Sequence, residues 1–197
     1  MKPRLFFVVT FFCTSLAAMA VSAAAQADSD KPRIPLVDAA TLEEPLASLN
    51  VARTIAQNPG LLEAWGGFAS YILGPDLSIT PRQRELAILR VGWIQQADYE
   101  WAHHVALAKG IGMTPEDIEA VKEGPGSEYW QGLDQLILQA VDDIQADSEI
   151  SAASWQGLKE HYSDQQMLDL LFTIGQYTMV CIALKSMNVQ LEEGFTY

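Results

Sequence analysis

Basic residues are scarce in this chain of 197 residues. Twelve lysines and arginines stand against 25 aspartates and glutamates, which gives a formal net charge of -13 at pH 7. Binding to phosphate needs clustered Lys and Arg, and no long basic run occurs in the sequence. The composition therefore argues against nucleic acid and anionic membranes as partners, and it says little about a small-molecule ligand, because a local site can differ from the overall field.

Charge is also missing from most of the first 27 residues. Lys2 and Arg4 form a short positive start, residues 5–20 are apolar and uncharged, and residues 25–27 read Ala-Gln-Ala. This layout is typical of a secretory signal peptide with a small-residue cleavage site. An uncleaved membrane anchor is the alternative, although the apolar run is near the lower length limit for spanning a bilayer. We predict a signal peptide at residues 1–27 and an exported protein, either periplasmic or secreted.

Cysteine is almost absent, since the chain contains only Cys13 and Cys181. Cys13 lies within the predicted signal peptide, so cleavage leaves a single thiol. One thiol cannot form an internal disulfide, despite the oxidising compartment that export implies. Cys181 lies in an apolar helical stretch, and we interpret it as a small buried side chain rather than a nucleophile.

Alternation of polar and apolar residues with a period of two is nearly absent, which argues against a sheet. Helical spacing of apolar residues recurs instead, and it predicts an all-α fold of about eight helices. We predict an extended leader at residues 28–40 and a single helical domain at residues 41–197. A further long helix is predicted at residues 128–147. Capping sequences predict that helices also start at four residues, which are Thr41 (with Glu44), Thr80 (with Gln83), Thr114 and Ser163 (with Gln166).

The segment from Arg82 to Gly112 predicts a hairpin of two helices that meet near Ala97 and Asp98. Glu100 and His104 are four residues apart and share a helix face, while Glu85 lies on the preceding helix, which can fold back beside them. A carboxylate beside an imidazole that is partly removed from water is typical of a proton donor or acceptor tuned towards neutral pH. Five ionisable residues of the hairpin lie in otherwise apolar surroundings: Glu85, Arg90, Glu100, His103 and His104.

Two simpler interpretations remain open at this point. Glu100 and His104 can form an ordinary pair on a solvated helix face, with Glu85 offsetting the dipole of its own helix. Glu100 and His103 also have the spacing found in di-iron bundles, but such sites need a second motif of this kind and two more glutamates. Only one motif occurs, so we predict neither a metal nor a cofactor.

Three stretches of this hairpin and the helix after it resemble the carboxymuconolactone decarboxylase family, which includes the alkyl hydroperoxidase D proteins. They are Arg-Glu-Leu-Ala-Ile-Leu-Arg-Val (84–91), Tyr-Glu-Trp-Ala-His-His (99–104) and Ala-Lys-Gly-Ile-Gly-Met-Thr-Pro-Glu-Asp-Ile (108–118). The resemblance is strongest over residues 80–124 and continues more weakly through most of the chain after the signal peptide. It implies an AhpD-like helical bundle around a central hairpin, assembled as a homotrimer or homohexamer.

The peroxidase branch of that family carries a glutamate, then Cys-x-Tyr-Cys, then a histidine four residues later. Aligned on Glu85, this pattern matches Tyr99 and His104, but Ala97 and Glu100 stand where the cysteines would be. Thiol chemistry needs one thiolate to attack the peroxide and a second thiol to resolve the product. The departure argues against peroxidase activity by that mechanism.

The decarboxylase branch acts on a small lactone acid without metal or organic cofactor. The resemblance therefore implies proton transfer to or from a carbanion or enolate, with His104 as general acid or base, Glu85 orienting it, and Glu100 as a second acid or base. Four further side chains would line the pocket or hold the substrate carboxylate: Tyr99, Trp101, His103 and Arg90. We predict a lyase or isomerase acting on a small carboxylated or lactone substrate. The alternatives are a peroxidase-like antioxidant protein and a non-catalytic oligomeric binding protein.

Overall fold

The computed structural model describes residues 31–197. The predicted signal peptide, Cys13 and the first residues of the predicted leader therefore lie outside the described residues. Residues 31–38 contain neither helix nor strand. Two short 3-10 turns follow, at Ala39–Thr41 and Leu46–Ser48.

Eight α-helices make up the rest of the fold, and no strand occurs between residues 31 and 197. The prediction of an all-α fold is confirmed. The helices are α1 (Asn50–Ile55), α2 (Pro59–Leu73), α3 (Pro81–Ile94), α4 (Asp98–Gly110), α5 (Pro115–Glu123), α6 (Gly132–Asp147), α7 (Ala152–Lys159) and α8 (Asp164–Met187).

Local sequence explains where most of these helices begin. Capping boxes start α3 at Thr80, α5 at Thr114 and α8 at Ser163, as predicted. The helix start predicted at Thr41 is wrong, because the Thr41 hydroxyl donates to the backbone oxygen of Asp38 and ends a 3-10 turn. The first α-helix begins nine residues later.

Another predicted boundary also differs from the structure. Helix α6 begins at Gly132 rather than near residue 128, since Gly132 has a φ of 58° that a continuous helical path does not allow. Asp98 is the first residue of α4, and its N-cap is Ala97, which makes no side-chain cap. The hairpin itself has the predicted form, with α3 and α4 packed against each other.

Helix α3 forms the centre of the fold and packs against α4, α5, α6 and α8. Every residue from Arg84 to Gly92 is buried, including the two arginines and the glutamate of this stretch. A buried charge is unfavourable unless it is paired and hydrogen-bonded. The position of α3 therefore requires a partner inside the protein for each of its charged side chains.

Asp169 on α8 holds the start of α3 in place. Its carboxylate accepts hydrogen bonds from the Tyr71 hydroxyl (2.7 Å) and from the backbone N–H (2.7 Å) and hydroxyl (2.6 Å) of Ser78. Burial raises the pKa of Asp169, but these hydrogen bonds outweigh it and hold the pKa below its usual value. The carboxylate thus connects α2, α8 and the turn that precedes α3.

We expect Asp169→Asn to lower the free energy of unfolding by about 2 kcal/mol. The NH₂ group of asparagine would then face hydrogen-bond donors that are now satisfied by a carboxylate oxygen. Urea unfolding at pH 7 measures this change. Since the folded pKa is lowered, the stabilisation from the ionised group is present at neutral pH and is lost as the pH falls below the ordinary value of 3.8. The difference between wild type and variant should therefore shrink in acid.

Asp164→Asn is the matched control, since Asp164 is the first residue of the same helix and forms an exposed pair with Lys159. Exposed ion pairs contribute little to stability. If Asp164→Asn destabilised the protein as much as Asp169→Asn, or if the Asp169 effect did not depend on pH, the anchoring role would be wrong.

Candidate active site

An imidazole lies between two carboxylates where α3 and α4 pack together. His104 Nδ1 is hydrogen-bonded to Glu85 Oε2 at 2.7 Å, and His104 Nε2 forms an ion pair with Glu100 Oε1 at 2.8 Å. The exposed fractions of these side chains are 6% for His104, 0% for Glu85 and 6% for Glu100. The structure brings these three predicted residues together in the interior rather than on a solvated face.

Close packing of α3 against α4 allows Glu85 to approach His104. Gly92 faces α4, and a Cβ atom placed there would lie 3.6 Å from the Trp101 backbone nitrogen and 3.8 Å from Glu100 Cγ. A larger side chain would push the helices apart. The reversal between them passes through Gln96, whose φ of 52° is left-handed.

Two residues that the sequence analysis did not assign to the site complete its surroundings. Arg84 Nε donates to Glu85 Oε1 at 2.9 Å, so each oxygen of Glu85 has a partner. The edge of the Tyr177 ring packs against the His104 ring, with centroids 4.8 Å apart and planes at 83°. Neighbours in a helix sequence normally point about 100° apart, so nothing in the spacing of Arg84 and Glu85 predicts that they pair.

The electrostatics of this cluster favour a protonated imidazole. Burial lowers the pKa of His104, but the carboxylates of Glu100 and Glu85 outweigh it and raise the pKa to about 10. Burial raises the pKa of Glu85, but His104 and Arg84 outweigh it and hold that pKa below its usual value. At neutral pH the cluster therefore contains an imidazolium bonded to the ionised Glu85.

Tyr99 and His103 belong to a second cluster, which anchors the C-terminal tail. The Tyr99 hydroxyl donates to Glu192 Oε1 at 2.6 Å, and His103 Nε2 is hydrogen-bonded to Glu192 Oε2 at 2.8 Å. The His103 ring lies between the rings of Tyr99 and Phe195, at centroid distances of 4.4 and 4.3 Å. Glu192 was not predicted, because its partners are about 90 residues away in sequence.

The spacing of Glu100 and His103 does not create a metal site. Glu100 is directed to His104, whereas His103 is directed to Glu192. Within residues 31–197, no group of three or more His, Cys, Asp or Glu side chains has a geometry that could hold a metal ion.

Arg90 is held by the protein on several sides. It forms a bidentate ion pair with Asp142 at 2.7 and 2.8 Å, and its Nη1 donates to the backbone oxygens of Val121 and Lys122. A Cβ atom at Gly124 would overlap the guanidinium, at 2.3 Å from Nη2. This position joins α3, α5 and α6, and Arg90 also lines one of the two surface clefts beside α4.

Two surface clefts flank the start of α4, and neither is lined by the buried cluster itself. One has a volume of about 590 Å³ and is lined by Tyr99 together with the end of α8 and the tail. The other has a volume of about 870 Å³, and Gly92 and Trp101 line it. In this second cleft, Lys122 Nζ lies 5.1 Å from the ring centre of Trp93 and 5.5 Å from that of Trp101.

Comparison with known proteins agrees with this architecture. Residues 59–123 match the model of the carboxymuconolactone decarboxylase family. An alkylhydroperoxidase AhpD core, an uncharacterized peroxidase-related protein from Ralstonia eutropha, has a similar structure, with a TM-score of 0.72 and 17% identity over 83% of this chain and 94% of that one. No curated protein matches the chain.

Two further solved structures have the same fold. A protein of unknown function from Agrobacterium tumefaciens gives a TM-score of 0.65 at 17% identity, over 70% of this chain and 94% of that one. The apo form of a debrominase gives 0.61 at 17% identity, over 73% and 76%. A variant of that debrominase is in complex with 2,3,4-tribromopyrrole. At these identities the likeness concerns the fold alone.

The cluster can be tested by titration. We expect the His104 ring nitrogens to remain protonated to about pH 10 in NMR spectra of the folded protein, and Glu85→Gln to lower this pKa by removing a neighbouring negative charge. Because the folded pKa lies above the ordinary 6.5, stabilisation from this proton is complete below about pH 6.5 and is lost as the pH rises through about 10.

His161→Gln is the control for this titration, since it removes an exposed imidazole at the end of α7 and should leave the His104 signals unchanged. A His104 pKa near 6.5 in the wild type would contradict the described coupling. So would a His104 pKa that is the same in the wild type and in Glu85→Gln.

Proposed function

Because the chain belongs to the carboxymuconolactone decarboxylase family through residues 59–123 and has an AhpD-like fold, we propose that it is a cofactor-free acid–base enzyme. It acts as a decarboxylase or isomerase on a small carboxylated or lactone substrate. The observation that carries this proposal is the buried imidazole of His104 between the carboxylates of Glu85 and Glu100.

The cluster provides a route for a proton from the interior to the substrate. His104 Nε2 carries a proton and lies 2.8 Å from Glu100 Oε1. The other ring nitrogen, Nδ1, is hydrogen-bonded to Glu85. Glu100 is the group that exchanges a proton with the substrate, His104 supplies or accepts that proton, and Glu85 positions the ring. Arg84 offsets the charge of Glu85 while the proton moves.

In a decarboxylation, the bond between carbon and the carboxylate breaks and carbon dioxide leaves. The electron pair stays on carbon as an enolate. The Nε2 proton of His104 moves to the Glu100 carboxylate, which delivers it to that carbon and is ionised again. The neutral imidazole then takes up a proton from water before the next turnover. A proton held with a pKa of about 10 is still much more acidic than the C–H bond that forms, so the transfer is favourable. An isomerisation uses the same route, with removal of one proton before delivery of another.

The larger cleft offers a place for the substrate. Its volume of about 870 Å³ suits a small molecule, and Gly92, which lines it, is also close to the Glu100 side chain. Trp93 and Trp101 provide apolar walls, and Arg90 and Lys122, which also line the cleft, supply the positive charge that attracts a substrate carboxylate. A debrominase with this fold binds a small ring compound, 2,3,4-tribromopyrrole, which is a ligand of comparable size.

The antioxidant alternative finds less support. Ala97 and Glu100 stand at the positions of the two cysteines, and Cys181 is the remaining thiol in residues 31–197. Burial, with a smaller contribution from Glu100, raises the pKa of the Cys181 thiol well above its usual value. A buried neutral thiol does not attack peroxides.

Assays of carbon dioxide release from a panel of small lactone acids test the proposal. We expect Glu100→Gln and Glu85→Gln each to reduce kcat/KM by about 10²–10⁴, the usual contribution of general acid–base catalysis. Glu160→Gln, at an exposed carboxylate on the end of α7, should leave the rate unchanged. Circular dichroism of each variant confirms that the fold is retained.

A kcat/KM equal to that of the wild type in both the Glu100→Gln and the Glu85→Gln variant would contradict the proposed proton route. Consumption of an organic hydroperoxide in the presence of a dithiol, retained after Cys181→Ala, would favour the antioxidant alternative instead. Absence of turnover with intact ligand binding would favour the non-catalytic alternative.

A further inference from the structure

Residues 192–197 lie along one side of α4 and reach the larger cleft. The Phe195 ring stacks on the His103 ring of α4 at a centroid distance of 4.3 Å, and Tyr197 is one of the residues that line the cleft. These six residues, which we call the strap, therefore connect the cluster around Glu192 with the cleft proposed for the substrate.

Glu192 attaches the strap to the body of the protein. Its Oε1 accepts hydrogen bonds from the Tyr99 hydroxyl at 2.6 Å and from the Asn50 backbone N–H at 2.7 Å. Its Oε2 is hydrogen-bonded to His103 Nε2 at 2.8 Å. Hydrogen bonds to an ionised group are stronger than those between neutral groups, so one carboxylate joins the strap firmly to α1 and α4.

Beyond Glu192 the strap has few contacts. Its other residues are exposed except Phe195, which is half-buried. No hydrogen bond or ion pair joins residues 193–197 to residues 31–191. Gly194 has a φ of 77°, in the left-handed region that suits glycine, and the chain turns there. A segment held by so few interactions opens at a low cost in free energy, and Gly194 is the place where it can turn.

Three aromatic side chains line the larger cleft, and the strap provides one of them. The ring centroids of Trp93 and Trp101 are 5.3 Å apart, and Tyr197 is the third. The exposed fraction of Tyr197 is 54%, so a large part of its ring is free to pack against a ligand. Aromatic rings pack favourably on other rings, either offset-stacked or edge-on. A flat ligand therefore fits this lining best.

Positive charge exceeds negative charge in the same lining. Among the cleft residues that the structure describes, Arg90 and Lys122 are the cations and Asp98 is the carboxylate. Arg90 is already paired with Asp142. Lys122 pairs with Glu119, whose side chain is 69% exposed, and exposed pairs are weak. The Lys122 ammonium can therefore turn from Glu119 to the carboxylate of a ligand.

We propose that the strap closes the larger cleft over a flat acid, with Tyr197 in contact with the ligand and Glu192 positioning the strap. This inference rests on the proposed function, which places the substrate in that cleft. A ring bound between Tyr197 and the two tryptophans covers aromatic surface that is now exposed to water, and burial of apolar surface favours binding. The strap turns at Gly194 to admit the ligand and to release the product.

Closure of the strap also serves the proton route. His103, to which the strap is attached, and Glu100, which exchanges the proton, lie on the same helix. Removal of water from a site strengthens the electrostatic interactions within it and prevents loss of protons to solvent. The strap thus supplies the exclusion of water that a surface cleft lacks by itself.

Fluorine NMR of the full chain labelled with fluorotryptophan tests this inference, with benzoate as the probe. Trp93→Phe and Trp101→Phe assign the signals of the two cleft tryptophans. We expect benzoate to shift both signals in the wild type and to leave the signal of Trp155, on α7, unchanged. Benzamide has the same ring without the carboxylate and should bind more weakly.

Substitution of Tyr197 tests its contact with the ligand. Tyr197→Ala should raise the Kd of benzoate about 3- to 10-fold, the usual contribution of an aromatic pair. Tyr197→Phe keeps the ring and should leave the Kd nearly unchanged. Because Tyr197 is exposed, neither variant disturbs the core.

Substitution of Glu192 tests the attachment of the strap. Glu192→Ala should raise the Kd of benzoate to about the same extent as Tyr197→Ala, because a released strap no longer holds Tyr197 at the cleft. Glu193→Ala removes the neighbouring exposed carboxylate and is the matched control, with an unchanged Kd. The double variant Glu192→Ala, Tyr197→Ala should bind no more weakly than either single variant, because both act through one contact. Circular dichroism shows whether each variant is folded.

A wild type whose Trp93 and Trp101 signals do not respond to benzoate would overturn the inference, as would equal binding of benzoate and benzamide. So would an unchanged Kd in Tyr197→Ala, or additive effects of the Glu192 and Tyr197 substitutions, which would show that Glu192 acts elsewhere. If the benzoate results are as expected but no lactone acid releases carbon dioxide, the decarboxylase proposal is contradicted and the strap is supported.

Discussion

Burial of the central helix from Arg84 to Gly92 is the constraint on which the rest of this structure depends. Because this stretch of α3 is surrounded by four other helices, its charged residues are largely removed from water and must be paired inside. Glu85 therefore binds Arg84 and His104, and Arg90 binds Asp142 and two backbone oxygens. The same requirement thus produces both the candidate active site and the connection between α3, α5 and α6.

Sequence alone was enough to predict the part of the site that depends on local spacing. Glu100 and His104 are one helical turn apart, and a short reversal brings Glu85 beside them, so all three could be placed before the fold was known. Contacts between distant parts of the chain carry no such signal. Glu192 reaches Tyr99 and His103 from the C-terminal tail, and no local pattern in the sequence indicates this contact.

Other errors of prediction arose where a local pattern competed with tertiary packing. Thr41 and Glu44 have the spacing of a capping box, but the Thr41 hydroxyl bonds to Asp38 and Glu44 accepts from Ser48. The resemblance implied that Arg90 holds a substrate carboxylate, and it gave no sign of the ion pair with Asp142, which lies 52 residues later on α6. A charged residue on a buried helix indicates that it forms an ion pair or hydrogen bonds inside the protein. The sequence does not identify the partner when that partner is distant in the chain.

The balance of charge inside the cluster explains how such a site can exist in a strongly acidic protein. The cluster contains two acids, Glu85 and Glu100, and two bases, Arg84 and His104, so a proton moving between His104 and Glu100 leaves its total charge unchanged. Moving charge within a neutral group is far less unfavourable in a dry interior than adding charge to it. Glu100 thus supplies the second acid that balances the imidazolium of His104.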